Sequence, residues 1–449
     1  MKRKIYNQLL DWKNNRKGEV ALLVEGARRI GKSYIVEEFA RNEYSSYILI
    51  DFNKTSTKVK KWFVDYMEDL DTFFELLEQH YHVKLVPRQS AIIFDEVQLC
   101  PRARAAIKYL VADGRFDYLE TGSLVSIKNN VKNIVIPSEE RTIEMHPMDF
   151  EEFLWAMGNE TLMPFLEKQF ATGNPMKDMH RETMDLFRRY MIVGGMPQAV
   201  EKYVQTRDLE QVDAIKRDIL AIYRNDIRKY AGRLAMKVES IFDEIPAQLQ
   251  RNERKFRLAD LKKDARMRDY ETAFMWLSDA KIVNCCYNTT APNIGLKLNM
   301  ERTTLKCYMA DTGLLISHAF DDKQIVSLEL YSKLLMDKLE VNAGMLIENV
   351  VAQMLVSAGH KLYFYSAADK DAEKRMEIDF LIRKDTVTSR HNIIPIEAKS
   401  STGYTITSLQ KCVRKFREFI TLPTVIHTSD CRTDENSIRY VPVYFTPFL

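Results

Sequence analysis

The chain has 449 residues, 46% of them apolar and 29% charged, with a formal net charge of +3 at pH 7. That length exceeds what one hydrophobic core holds and predicts about three domains, in a soluble mixed helix-strand chain. Near-neutral charge excludes a nucleic-acid footprint spread over the whole surface, so any such footprint is local. No apolar run reaches the length of a membrane span, and no apolar signal region follows Met1-Lys2-Arg3-Lys4. The cysteines (Cys100, Cys285, Cys286, Cys307, Cys412 and Cys431) show no C-x-x-C spacing, which argues for a reducing cytoplasm and against a zinc ribbon.

In chain order, the apolar run Val20 to Val24 predicts a buried strand, and Tyr34 to Ala40 has the spacing of an amphipathic helix. Between them stands Gly26-Ala27-Arg28-Arg29-Ile30-Gly31-Lys32-Ser33. A G-x-x-x-x-G-K-S run between strand and helix is the pattern of a phosphate-binding loop. Glycines let the backbone wrap closely, so that its N–H groups converge on phosphate oxygens at a helix N-terminus. Residues 26 to 34, ending at Tyr34, are therefore the expected nucleotide-binding stretch. Lys32 is suited to the β- and γ-phosphates and Ser33 to Mg²⁺. A second strand is expected at Tyr47 to Phe52. A third, Ala91-Ile92-Ile93-Phe94, ends in Asp95-Glu96. Two acids at the carboxyl end of a strand, this far after a phosphate loop, form a Walker B pattern. Asp95 is expected on Mg²⁺, and Glu96 is expected to orient or deprotonate the attacking water. Phe116 to Ser123 reads as a further strand ending in a polar turn, where the hydroxyls of Thr121 and Ser123 are candidates for sensing the γ-phosphate; a plain turn is the competing reading.

From Met148 to about Tyr230 the pattern is helical, broken at Gly173-Asn174-Pro175 and Gly194-Gly195-Met196-Pro197, and is read as a lid on the ATPase core. Residues from about Met236 to Leu315 follow winged-helix order: a helical stretch, two short helices at Leu258–Ala265 and Tyr270–Ala280, then strands at Ile282–Tyr287 and Leu305–Ala310. Arg251 through Arg268 hold eight basic residues against three acidic ones. Such a segment suits phosphate contacts with DNA, and a solvated helix face is the alternative. The C-terminal part sets Glu348 on an apolar helix, and Glu377 and Asp379 on one face of a strand. Glu397 and Lys399 share a face of the next. Carboxylates of this kind, Asp379 and Glu397 foremost, can hold a divalent metal while a lysine polarises water or steadies a phosphate.

Taken together, these motifs resemble the bacterial and archaeal family of AAA-type P-loop ATPases that end in a DUF4143 domain. The resemblance covers nearly the whole chain. It rests on the phosphate loop, Ile93 to Gln98, Thr121-Gly122-Ser123, Arg141, Pro147 to Leu154 and Gly194 to Pro197. It continues through Asp311 to Leu315, Leu346 to Asn349, Glu377 to Phe380 and Pro395 to Ser400. Glu140 stands where a glycine is frequent in that family, and Ala398 replaces the more usual valine. The resemblance implies an α/β fold with a P-loop NTPase (AAA-like) core over 1–155 and a helical lid over 156–232. A winged-helix-like domain over 233–327 and a PD-(D/E)xK nuclease-like domain over 328–449 complete it. By that likeness Asp379, Glu397 and Lys399 fall on the nuclease motif, with Glu348 as the helix acid. The expected activity is Mg²⁺-dependent ATP binding and hydrolysis coupled to modules that contact DNA through 251–268 and the C-terminal domain. The alternatives are a non-catalytic adaptor that recruits a protein partner, and an ATP-regulated nuclease. Arg141, Arg224 and Arg228 are candidate arginine fingers, in cis or from a neighbouring subunit of a homo-oligomer.

Overall fold

The computed structural model describes residues 1–16, 18–123, 138–251, 253–320, 343–368, 371, 375–384, 386, 388, 390–401, 403–434 and 437–449. They form two compact units, Met1–His146 and Pro147–Leu449.

The first unit is built on β1 (Ala21–Glu25), β2 (Ser46–Asp51), β3 (Ser90–Asp95), β4 (Asp117–Gly122) and β5 (Glu140–Glu144), in the order β2-β3-β4-β1-β5. Every pairing is parallel. Parallel strands need helical crossovers, and the intervening helices include Lys32–Glu43, Thr57–Asp65, Leu70–Tyr81 and Pro101–Asp113. β1, β3 and β4 are buried along their whole length, which is why β1 and β3 read as continuous apolar runs rather than alternating ones. On one side of the sheet Phe63 makes edge-on contacts with Phe52, Phe73 and Phe94 at centroid distances of 5.1–5.7 Å. This topology puts β4 between β1 and β3, so Thr121 lies beside Val24 on one flank while Glu120 lies beside Phe94 on the other. Glu140, the acid standing at a frequent glycine position, is matched by a buried partner: Arg104 donates to its two oxygens at 2.7 and 3.2 Å. The nearby Glu120 carboxyl is pushed well above the usual carboxylate range, by burial first and by Glu140 second.

The second unit begins with helices, among them Phe150–Ala156, Leu162–Thr172, Asp178–Val193, Pro197–Thr206 and Leu209–Tyr230. In this division the residues expected as a lid fall with the C-terminal part, and the first unit ends at His146. The helices Ala235–Gln250 and Met267–Asp279 follow. Between them, where a short helix over Leu258–Ala265 was expected, there is a single 3-10 turn at Leu258–Asp260; its Asp260 carboxylate is taken by Gln248 at 2.8 Å and Arg251 at 2.5 Å. The strands expected at Ile282–Tyr287 and Leu305–Ala310 form the hairpin β6 (Val283–Thr289) and β7 (Met300–Met309), which does not stand alone. β6 pairs in parallel with β8 (Tyr363–Ala367), and the sheet continues through β9 (Met376–Arg383), β10 (Ile393–Ala398), β11 (Thr424–His427), β13 (Arg439–Pro442) and β12 (Arg432–Thr433). One eight-stranded sheet therefore spans segments that the sequence reading assigned to two domains. The expected boundary at 327/328 lies outside the described residues.

The helix Ala343–Ser357 is buried continuously from Met345 to Leu355, as its nearly all-apolar surface requires. Its polar members bond to the end of β7 and the segment after it: Asn349 accepts from Met309 N at 2.9 Å, and Gln353 accepts from Thr312 N at 2.8 Å. Asp311 in turn accepts from Gly195 N at 2.5 Å and Leu314 N at 2.8 Å.

Candidate functional site

The phosphate-loop sequence leaves β1 at Glu25 and enters the helix at Lys32. Gly31 has φ 90 and Arg29 φ 70, both left-handed; the tight loop asks this of its backbone, and glycine adopts it at no steric cost. At Gly26 the requirement is space: a Cβ there would lie 2.3 Å from Met145 O and 2.4 Å from Ile30 Cδ1. Ala27 and Ile30 are buried and anchor the loop, while Arg28, Arg29 and Tyr34 are exposed. Arg3, which the sequence reading passed over, donates to Ile30 O at 3.0 Å and His146 O at 2.6 Å and so braces the loop from the N-terminus. One basic residue among Lys2-Arg3-Lys4 ahead of a helix gave no sign of this.

Lys32 Nζ donates to Gly26 O at 3.0 Å and Ala27 O at 2.8 Å. Burial pulls this ammonium down to about 8, against the opposing pull of Glu96 and Asp95. Ser33 Oγ donates to Asp95 Oδ1 at 2.6 Å, and the Thr121 hydroxyl donates to the same oxygen. Thr121 Oγ1 accepts from Glu96 N at 3.4 Å. Glu96 itself sits at φ 54, a left-handed backbone uncommon for a side chain of this kind, and its carboxylate is held by the amide of buried Gln98. The structure therefore brings Lys32, Ser33, Asp95, Glu96 and Thr121 together at the carboxyl edge of the parallel sheet. Ser123 follows the end of β4, and Arg141 is exposed on β5. The other two candidate fingers are engaged within the second unit: Arg224 pairs with Asp243 at 3.1 Å, and Arg228 with Glu239 at 2.5 Å.

The C-terminal acids form a second cluster. Glu348 comes from the buried helix, Glu377 and Asp379 from β9, and Glu397 from β10, with Lys399 just beyond it. Glu377, Asp379, Glu397 and Lys399 border a cavity of about 400 Å³ that is also lined by Arg254 and the hydroxyl residues Ser400, Ser401 and Thr407, while Glu348 lies buried behind it. Lys399 Nζ lies 2.7 Å from Glu397 Oε2. Burial raises the Glu397 carboxyl above its usual range, against Lys399. Burial also works against ionisation of Asp379, but Lys306, Arg254 and Lys399 outweigh it and hold that carboxyl below the usual range. Two of those cations were not anticipated. Lys306 on β7 and Arg254 both reach into the cluster from the middle segment. The signal in the sequence was one lysine inside the apolar run Leu305-Lys306-Cys307-Tyr308-Met309, a pattern that needs a buried counter-charge. Among the described residues no three Asp, Glu, His or Cys side chains converge as a metal-holding group.

The basic stretch from 251 to 268 is partly spent internally. Arg251 pairs with Asp260, Arg254 with Glu348, Lys255 with Glu377 and Arg257 with Glu253. Lys262, Lys263, Arg266 and Arg268 are exposed. A second cavity of about 430 Å³ is lined by Lys297, His360, Lys361, Arg383 and Lys384 together with Tyr363, and among the described residues no acidic one lines it. No helix among the described residues is long and apolar enough to cross a membrane.

Residues 19–154 match the AAA domain family, residues 184–324 a domain of unknown function (DUF8612), and residues 343–445 a domain of unknown function (DUF4143). No curated protein matches the chain. Among solved structures, the Walker-type ATPase PABY2304 of Pyrococcus abyssi is similar at 14% identity and a TM-score of 0.39, over 71% of this chain and 95% of that one. Drosophila ORC bound to DNA is similar at 11% identity and a TM-score of 0.27, over 70% of this chain and 94% of that one. PCH-2 of C. elegans is similar at 14% identity and a TM-score of 0.19, over 34% and 42%.

Proposed function

From a chain that is an AAA-type P-loop ATPase with a C-terminal DUF4143 domain, we propose a Mg²⁺-dependent ATP hydrolase whose nucleotide state governs DNA contact by the second unit. The observation that carries the ATPase reading is the contact of Ser33 Oγ with Asp95 Oδ1 at 2.6 Å, beneath a buried Lys32 and beside Glu96. These donors suit the ligand. Phosphate oxygens would replace the loop carbonyls as partners of Lys32, and the backbone of residues 26–31 would wrap them. Mg²⁺, a hard cation that takes oxygen ligands, fits the Ser33 hydroxyl and the Asp95 carboxylate. Bound there, it would neutralise charge on the β- and γ-phosphates. Glu96, steadied by Gln98, orients the attacking water, and Thr121 links the γ-phosphate side of the site to Asp95. Arg141, or an arginine of a neighbouring copy, serves as the finger in this reading.

Lys32→Ala is expected to lower ATP turnover at least about 100-fold, and Glu96→Gln to keep nucleotide bound while stopping hydrolysis. Unchanged turnover in both variants would sink the reading.

DNA contact is supported by two features of the second unit: the exposed Lys262, Lys263, Arg266 and Arg268, and the basic cavity around Lys361 and Lys384. A protein-recruiting adaptor is the second reading, favoured by the internal pairing of Arg251, Arg254, Lys255 and Arg257. Co-purification of one protein partner without any salt-sensitive DNA shift selects it.

A further inference from the structure

In the C-terminal cluster, the oxygens of Glu348, Glu377 and Asp379 all lie against cations or donors of this chain, although Glu348 Oε2 meets Arg254 without a hydrogen bond. Asp379 Oδ1 faces Lys306 Nζ at 3.3 Å, and its Oδ2 accepts from Ala398 N at 3.0 Å. Glu377 Oε1 faces Lys306 at 3.1 Å, and its Oε2 faces Lys255 at 3.3 Å. Glu348 Oε1 accepts from Lys306 at 3.2 Å and from the Tyr308 hydroxyl, while Oε2 pairs with Arg254. One ammonium, with a side chain only 1% exposed, thus stands among three carboxylates. An ammonium has three donors and no acceptor, so each acid meets one donor.

A divalent metal bound by these acids would need the same oxygens at about 2.0–2.1 Å for Mg²⁺. It could not approach without expelling Lys306, and the fold gives that side chain little room to leave. Lys306 is buried, and the Phe364 ring lies 5.3 Å from its Nζ. The acid left over is Glu397, whose Oε1 is buried without a hydrogen-bond partner. Ca²⁺ takes about 6–8 oxygen ligands, far more than one carboxylate offers, and Mg²⁺, which can bind through one carboxylate and water, would meet Lys399 Nζ already 2.7 Å from that carboxylate's other oxygen. The donor set present here therefore does not fit a divalent metal.

We propose that Lys306 is a built-in counter-cation occupying the place a metal would take, so that the nuclease-like cleft of this chain is a metal-free site. The cleft keeps acids that resemble the nuclease motif because they hold β7 and the buried helix together through Lys306 and Arg254. Metal-assisted phosphodiester cleavage has no metal to start from in it. This inference does not depend on the ATPase reading, since all of its residues lie in the second unit.

The test is Mn²⁺ binding to the full-length, nucleotide-free protein, read as free Mn²⁺ by electron paramagnetic resonance. Wild type and Asp379→Asn are expected to bind the same number of Mn²⁺ ions, because any weak binding at Ser33 and Asp95 is common to both. Lys306→Met is expected to bind one Mn²⁺ more per chain and to gain thermal stability from it, and adding Asp379→Asn should remove both gains. A wild-type Mn²⁺ site that Asp379→Asn abolishes overturns the proposal. So does a folded Lys306→Met protein that takes up no additional Mn²⁺. Glu377→Gln, at the partly exposed rim of the cluster, repeats the wild-type comparison should Asp379→Asn fail to fold.

Discussion

At the scale of single residues, backbone geometry and burial do most of the deciding. Gly26 is needed for its missing side chain, since a Cβ would sit 2.3 Å from a backbone oxygen that cannot yield cheaply. Gly26→Ala is therefore expected to weaken ATP binding at least about tenfold by distorting the loop, readable by equilibrium titration with a fluorescent ATP analogue. His427 offers a test by pH. It is 3% exposed, and burial, reinforced by Arg432, lowers its imidazolium value from 6.5 to about 4. Between those values the unfolded chain binds more protons than the folded one, so stability falls as pH drops from 6.5 towards 4. The loss is at most about 3 kcal/mol. His427→Gln can keep a hydrogen bond to Tyr404, which lies 3.1 Å from Nδ1 in the wild type, but does not titrate. Denaturant melts across that window should show a shallower pH dependence in the variant.

At the scale of elements, several motifs that carry the family resemblance are packing devices. Gly194-Gly195 and Asp311-Thr312-Gly313 come from separate helical segments that meet backbone to backbone. A Cβ on Gly313 would lie 2.5 Å from Gly194 Cα, and one on Gly195 would lie 2.1 Å from Met148 O. Asp311 stitches the two segments by accepting from Gly195 N and Leu314 N. Gly313→Ala is accordingly expected to cost the second unit about 3 kcal/mol, measured by urea denaturation. The expected wing illustrates the opposite case. The hairpin was legible from its apolar runs, but its pairing with β8 was not, because strand alternation says which face is buried and not which strand lies alongside.

At the scale of the whole molecule, the distribution of charge matters more than its sum. A net charge of +3 hides a basic cavity around Lys361 and Lys384 and an exposed group at Lys262 to Arg268. If these track a phosphate backbone, the double variant Lys361→Glu, Lys384→Glu should weaken duplex DNA binding and flatten its salt dependence by roughly two counter-ions. Its ATP turnover without DNA should be unchanged, since both residues lie outside the unit that holds the phosphate loop. Measuring ATP turnover with and without duplex DNA then asks whether the two activities are linked. An unchanged rate, with no DNA shift at any salt concentration, would favour the adaptor reading.

The phosphate loop and the Asp95-Glu96 strand end could be read from the chain alone because their chemistry is local. Loop, strand and helix are contiguous, and a parallel strand buried on both faces announces itself as an apolar run. The acids of the C-terminal cluster were legible for the same reason, each standing at a recognisable position on its own helix or strand. What neutralises them was not. Lys306 and Arg254 reach those acids only because β6 pairs with β8 and carries its hairpin partner β7 into the same sheet. A residue's type and its neighbours along the chain say what it is able to bond. Which charge lies within 4 Å of it depends on contacts between distant segments, and tertiary packing alone decided whether those carboxylates faced a metal or a lysine.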